Sequence, residues 1–358
     1  MIGVICMKDI YDITIIGGGP AGLYSAFYAG LRELKTKIIE YRGELGGKLH
    51  IYPEKIIWDI GGLPATPAQK VIENIVEQGL TFQPTVHLNT KVDVVSKQDE
   101  LFVIETDKGD KHYSKKLVIA AGGGIINPIK LHIDGAEKYE MSNLHYTIRG
   151  IQSFKGKSIL ISGGGNSAID WAKDLVGVAK DITVIYRGEK LSAHEAQIRY
   201  LQENGVPIIT NTQIQSLIAN EEKTKIKEVV LENVATHEIS SIVVDDVLVN
   251  HGYDRDRSFE FEAEITPKQD EQYQYYYVTN SKGETSVDGI YAVGDISKHD
   301  SKVYLISGTF QDAINAVNDI KRSLEPTADA YAKVSSHNEA FEKRNRDIIQ
   351  QLTADLVK

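Results

Sequence analysis

The 358-residue sequence predicts an α/β protein of two similar halves, and three observations carry that expectation. A glycine-rich turn, Gly17-Gly18-Gly19-Pro20-Ala21-Gly22, follows the apolar run Ile13-Thr14-Ile15-Ile16. A second, Gly163-Gly164-Gly165-Asn166-Ser167-Ala168, follows Ser158-Ile159-Leu160-Ile161-Ser162. Each turn opens a helix-like stretch that leads to another apolar run, so a strand–turn–helix–strand unit occurs twice.

Composition sets the outer limits. The chain is 42% hydrophobic and 25% charged, the balance of a globular protein, and is long enough for two domains. A net charge of -10 argues against nucleic acid as a partner, since phosphate binding calls for a basic face. No apolar run approaches the roughly 18–20 residues that span a bilayer, so no membrane partner is expected. The apolar opening Met1–Met7 has no basic residue before it and is too short for a secretory signal. It reads as a leader or the edge of the first strand, with Met1 and Met7 both candidate starts. The one cysteine, Cys6, excludes an intrachain disulfide, a CxxC redox pair and a multi-thiolate metal site. No metal site is expected, and the thiol usage fits a reducing cytoplasm.

In chain order, Ile13–Ile16 reads as a buried parallel strand, Ala21–Leu31 as its helix and Lys37–Glu40 as the next strand. Within 84–120, Thr85–Val95, Leu101–Thr106 and Lys111–Ala120 read as a β-meander inserted after the first unit. The second unit comprises Ser158–Ile161, a helix over Ser167–Val178 and a strand over Asp181–Tyr186. Short strands return in 226–250, at Lys227–Leu231, Ile242–Val244 and Asp245–Asn250. Tyr275–Tyr277 reads as strand or surface loop, Ser307–Leu324 as a helix and Asn338–Leu356 as a closing helix beyond Pro326. The expected layout is one domain from 1–120 and 252–358 and another from 121–251, with hinges near 121–124 and 250–253.

The turns have a chemical reading. A strand that turns sharply into a helix aims the helix's free N–H groups and its positive dipole end at a pyrophosphate. The first glycine makes the turn, the second lets phosphate approach the backbone, and the third lets helix pack on strand. Gly17, Gly19 and Gly22 have that spacing, with Pro20 and Ala21 opening the helix; Gly163, Gly165 and Ala168 have it with alanine third, next to Asn166 and Ser167. These are the marks of two Rossmann-like dinucleotide-binding domains. Glu40 ends the strand after the first turn, where a carboxylate accepts from ribose hydroxyls and repels a 2′-phosphate, which suits FAD or NAD. Arg187, with Lys190, follows the second, where a cation favours a 2′-phosphate and hence NADPH; Glu189 pulls the other way and leaves NADH open. Asp295, closing Gly289-Ile290-Tyr291-Ala292-Val293-Gly294-Asp295, is placed to accept from a ribityl hydroxyl, which assigns FAD to the first turn and NAD(P) to the second.

With these residues in place the chain resembles the thioredoxin-reductase-like ferredoxin–NADP(+) reductases of bacteria over nearly its whole length. The resemblance is carried by Tyr11–Pro20, Tyr52-Pro53-Glu54-Lys55, Trp58–Pro64, Asn143-Leu144-His145-Tyr146, Val249-Asn250-His251-Gly252-Tyr253 and Asp295-Ile296 with Lys302-Val303. It implies that Tyr52 stacks on the isoalloxazine ring and that Val92 and Ile126 line the FAD. It further implies a homodimer in which a C-terminal extension, often from the other subunit, covers the opposite flavin face, with Ser336 and His337 as alternative contacts. Electrons would then pass from NADPH through FAD to ferredoxin or flavodoxin. No catalytic side chain is needed, because the cofactors carry the chemistry.

Several positions depart from that pattern. Lys48 stands where the branch usually has glutamine, so a lysine beside the flavin would stabilise its anionic reduced form. Ile126 replaces a usual aromatic, Asn166 a usual aspartate and Asp312 a usual glutamate. Two of three arginines usual around the NADP turn are missing from Tyr186-Arg187-Gly188 and Ser192-Ala193-His194-Glu195. Alternative readings are therefore an NADH-preferring diaphorase, a quinone or flavin reductase, and a slow FAD-binding redox sensor. A thioredoxin-reductase-type disulfide reductase needs two cysteines that the chain lacks.

Overall fold

The computed structural model describes residues 9–148, 150–256 and 259–356; the leader with Cys6 and Met7 and the Ile126 side chain lie outside the described residues. The chain forms two compact units. One comprises Met1–His50, Ile56–Ile125 and Arg257–Lys358, the other Ile51–Lys55 and Ile126–Asp256.

The first unit begins with β1 (Ile10–Ile16), α1 (Pro20–Leu31), β2 (Thr36–Ile39) and α2 (Ala68–Gly79). It continues through β3 (Thr85–His87), β4 (Val92–Gln98), β5 (Leu101–Thr106) and β6 (Lys111–Ile119). The second unit carries β7 (Ile125–Pro128), β8 (Leu144–His145), β9 (Ser158–Ser162), α3 (Asn166–Leu175) and β10 (Asp181–Ile185). Then come α4 (Glu195–Glu203), β11 (Ile208–Ile209), β12 (Thr212–Ala219), β13 (Ile226–Asn233), β14 (Ile239–Val243), β15 (Asp246–Val249) and β16 (Tyr253–Asp256). The chain returns to the first unit with β17 (Glu260–Phe261), β18 (Ile290–Ala292), α5 (Ile306–Leu324) and α6 (Glu342–Leu356).

The first unit's sheet has the order β17-β4-β5-β6-β1-β2-β3, with β18 also on β6. Parallel pairing holds from β6 through β3, as βαβ connections require. On the edge away from β1, strand β6 serves two partners in turn. Lys111–Ser114 runs antiparallel to β5, while Leu117–Ile119 runs parallel to β18. Its apolar core joins Ile13 and Ile15 of β1, Leu23, Ala26 and Ala29 of α1, and Ala316, Val317 and Ile320 of α5. Small residues on α1 let it pack closely.

The second unit has an all-parallel sheet in the order β8-β15-β9-β10-β11 and an antiparallel sheet β12-β13-β14. One face of the parallel sheet buries Ile169, Trp171 and Leu175 of α3 against Ile159, Ile161 and Val184. Leu160, Ile185 and Val249 on the opposite face pack with Ile226, Val229 and Leu231 of β13.

Several expectations are corrected. The strand expected over Thr85–Val95 is two, because Asn89 takes φ 51°, a left-handed turn that breaks the run. Its first part, β3, extends the parallel sheet beyond β2. Asp245–Asn250 likewise is no meander strand; β15 pairs parallel with β9. The helix after the second turn ends at Leu175, where Val176 turns extended and Gly177 takes φ 80°. The closing helix starts at Glu342, since Asn338 is extended and its side chain caps a separate short turn. Of the tyrosine run only Tyr277 enters a strand, Tyr277–Val278. Helices α2 and α4 and strand β12 were not expected, although Val71, Ile72 and Ile75 give α2 a readable apolar stripe. The units divide at 125/126 and 256/257, not at 120/121 and 251/252, because β7 and β16 pair as a ribbon.

Candidate dinucleotide sites

The three glycines of the first turn meet different surroundings. Gly17 takes φ 109°, and a Cβ there would lie 2.5 Å from the Ala120 carbonyl oxygen. A Cβ on Gly22 would lie 1.9 Å from the Gly17 carbonyl oxygen. At Gly19 the nearest atom is the Gly47 Cα at 3.6 Å, an ordinary van der Waals distance, so this position is lightly packed where the other two are closed by backbone. Gly19 is also the extended N-cap of α1, Pro20 follows it, and no side chain caps the helix. An uncapped N-terminus beside a glycine without a side chain fits a pyrophosphate.

Glu40 is buried just past β2, where its Oε2 accepts from the Gly18 N–H and its Oε1 from the Arg42 N–H at 2.8 Å. The carboxylate thus faces the turn from the strand end. Gly46 donates its N–H to the Gly18 carbonyl at 2.9 Å, which brings the Gly46–Lys48 segment over the turn. Lys48 Nζ then reaches Asp295 Oδ2 at 2.8 Å. Gly294 takes φ 74°, and a Cβ on it would meet the Ala21 Cβ at 2.8 Å. Three distant segments therefore meet at the start of α1: the glycine turn, Gly46–Lys48 and Gly294–Asp295. The sequence singled out Lys48 without giving it a partner, and nothing local could have supplied one.

The second turn repeats the division of labour. A Cβ on Gly163 would lie 2.4 Å from the Asn250 carbonyl oxygen, whereas the nearest atom at Gly165 is Ser192 Oγ at 3.9 Å. Gly165 is the extended N-cap of α3, again without a side-chain cap. Ala168 is fully buried in the third position. Asn166 Oδ1 accepts from the His194 N–H at 3.1 Å, and Ser192 donates its N–H to the Gly164 carbonyl at 2.8 Å. This tie between Ser192–His194 and the turn was missed, being a pairing of segments far apart in sequence. Ser167, Arg187 and Lys190 are exposed, and neither Arg187 nor Lys190 has an ion pair among the described residues. His251 Nε2 lies 2.8 Å from Ser162 Oγ. The residue as a whole remains open to solvent, yet burial around its ring, then Arg187 and His132, hold its pKa below the usual imidazole value. A neutral imidazole leaves the Arg187 charge uncontested by a cation.

The remaining expected site residues fall in several places. Val92 is buried in an apolar cluster with Ile16, Ile39 and Ile119. Tyr52 belongs to the second unit, packing on its α3-side core, and the neighbouring Ile51 carbonyl accepts from Thr147 Oγ1 at 2.7 Å. Lys55 of that segment pairs with Asp174 and lies over the Trp171 ring. Ser336 and His337 are exposed and bonded to each other. Their segment is anchored by the Ala332 N–H to Tyr28 Oη and by Phe341 against Phe82. Tyr28 lies eight residues along α1 from Pro20, roughly 12 Å at helical rise. Within one chain, the anchors of this tail segment are therefore remote from the first turn.

Two sheets with parallel strands around an uncapped glycine turn, one in each unit, define a two-dinucleotide reductase fold. A profile of the pyridine nucleotide-disulphide oxidoreductase family matches residues 11–319. Ferredoxin–NADP reductase 1 of Bacillus mycoides is 51% identical over 346 residues, covering 96% of this chain and 99% of that protein. Ferredoxin–NADP reductase 3 of Lysinibacillus sphaericus is 52% identical, covering 96% and 98%. The Lactococcus lactis thioredoxin reductase structure superimposes with a TM-score of 0.66 at 26% identity, covering 87% of this chain and 98% of that one. The T. acidophilum thioredoxin reductase gives 0.68 at 23% identity, covering 88% and 99%, a likeness of fold. The chain belongs to the pyridine nucleotide-disulphide oxidoreductase family, in its branch of bacterial ferredoxin–NADP reductases. With one cysteine it cannot hold the dithiol that the family name suggests.

Proposed function

We propose that this protein is an FAD-dependent oxidoreductase that moves electrons between NADPH and ferredoxin or flavodoxin in the cytoplasm. The observation that carries the reading is the paired geometry of the turns: a helix start with no side-chain cap, beside a glycine whose Cβ would meet nothing closer than 3.6 Å, once in each unit. FAD fits the first turn. There Gly17, Gly19 and Gly22 shape the backbone, and the free N–H groups at the start of α1 receive the pyrophosphate. Glu40 accepts from ribose, and Asp295, held by Lys48, accepts from the ribityl chain. NADPH fits the second, with Gly165 approached by the pyrophosphate and Arg187 and Lys190 receiving the 2′-phosphate. When bound, FAD supplies a two-electron acceptor that can release electrons singly. The chain's own residues bind, orient and shield. A homodimer agrees with the exposure of Ser336 and His337, which a second copy would turn into flavin contacts.

The test is an anaerobic titration of the FAD-loaded protein with NADPH and with NADH, followed by ferredoxin, flavodoxin or a free quinone. Bleaching by NADPH and reoxidation by ferredoxin are expected. Faster bleaching by NADH with electrons passing only to quinone would replace this reading with the diaphorase. No bleaching by either nucleotide would leave the redox sensor.

A further inference from the structure

A buried charged cluster lies under the Gly294–Asp295 turn. Asp312, on α5, accepts the Gly294 N–H at 3.0 Å and pairs through the same Oδ2 with Lys302. The Lys302 side chain is 2% exposed and that of Asp312 9%. His299 Nε2 stands 3.5 Å from Asp312 Oδ1, and its Nδ1 is buried without a hydrogen-bond partner. Removing two opposite charges from water costs about as much as their attraction returns, so such a pair adds little net stability. Its product is placement. Among the described residues, the one backbone group that the Asp312 carboxylate accepts from is the N–H of Gly294, the residue that packs against Ala21 and whose neighbour Asp295 meets Lys48.

We infer that Asp312 is a positioning residue for the flavin: by accepting the Gly294 N–H it fixes the turn that aims Asp295 at the ribityl chain, and Lys302 is the counter-charge that lets it do so while buried. The inference rests on FAD binding at the first turn. Asp312 touches no part of the cofactor, and its effect passes through backbone.

Deleting Asp312 alone would strand the Lys302 charge, so the test uses neutral pairs. K302M/D312N keeps an acceptor for Gly294; K302M/D312L keeps the bulk and removes the acceptor. FAD affinity is measured on the apo-protein by flavin fluorescence quenching, and ADP affinity by competition. ADP carries the adenosine and pyrophosphate half only, which Glu40 and the glycine turn serve. K302M/D312N should bind FAD within about threefold of the parent, and K302M/D312L about tenfold more weakly, the loss of one hydrogen bond. Both should leave ADP binding unchanged. Equal losses for FAD and ADP, or no loss in K302M/D312L, would overturn the inference. A parent protein that binds no FAD ends the cofactor reading and the inference together, while a parent that binds FAD beside unaffected variants ends the inference alone.

Discussion

The two glycine turns share a backbone plan and differ in what surrounds it. Three chain segments enclose the first, with Gly46–Lys48 over the backbone and Asp295 closing the far side. At the second, Ser192–His194 ties to the turn, while Asn166, Ser167, Arg187 and Lys190 stay exposed. A site built from distant segments suits a cofactor that stays; an open site with unpaired cations suits a nucleotide that comes and goes. The difference extends to the third position, glycine in one and alanine in the other.

That position gives the largest expected effect. Gly22→Ala places a methyl 1.9 Å from a backbone oxygen and should destabilise the apo-protein by about 3 kcal/mol in urea unfolding, with loss of FAD. The reciprocal Ala168→Gly should cost only about 0.5–1 kcal/mol. Equal costs would mean that the two turns pack alike.

Nucleotide discrimination comes next. Arg187→Ala should weaken NADPH by roughly 1–3 kcal/mol and leave NADH within about twofold, read by anaerobic titration. Equal loss for both would remove Arg187 from the 2′-phosphate.

The pH response should separate the units more gently. In the first unit Lys37 Nζ meets His112 Nδ1 at 3.0 Å, and burial, then Lys37 and His87, lower the His112 pKa to about 4. A base whose folded-state pKa lies below its unfolded value binds its proton more readily when unfolded. Stability is therefore full above about pH 6.5 and falls as the pH drops toward 4, by an order of 1–2 kcal/mol after allowance for partial solvation. His112→Gln should flatten that slope in pH-dependent urea unfolding; an unchanged slope would place the acid sensitivity elsewhere.

Smallest is Glu40→Gln. It retains an acceptor for Gly18, gives up the one for Arg42, and should weaken FAD about fivefold through loss of charge and of that bond, measured by fluorescence. Unaltered affinity would show that Glu40 serves the turn and not the ribose.

Both turns were legible in sequence because their code is local: a strand, three spaced small residues and a helix lie within one short stretch. The strand ends Glu40 and Arg187 were legible for the same reason. Lys48 and Asp295 were each singled out, but their pairing spans 247 positions and left no local trace. The same holds for Ser192 with Gly164 and for the place of Ile51–Lys55 in the second unit. Partners within a sheet are equally nonlocal, so β3 and β15 read as meander strands until their parallel neighbours were seen. Helix α2 is the exception, since its apolar stripe of Val71, Ile72 and Ile75 is local and at helical spacing.

The double use of β6 has a consequence for biosynthesis. Its C-terminal half pairs with β18, which follows the whole of the second unit in the chain. During translation the second unit emerges complete, while the first still lacks the strand beside β6 and the helix beneath β1. Domains fold as units during synthesis, and pairings distant in sequence form slowly. The nascent first unit therefore waits with an unpaired strand edge for roughly the time needed to add residues 126–292, about 10–30 s at ordinary bacterial rates.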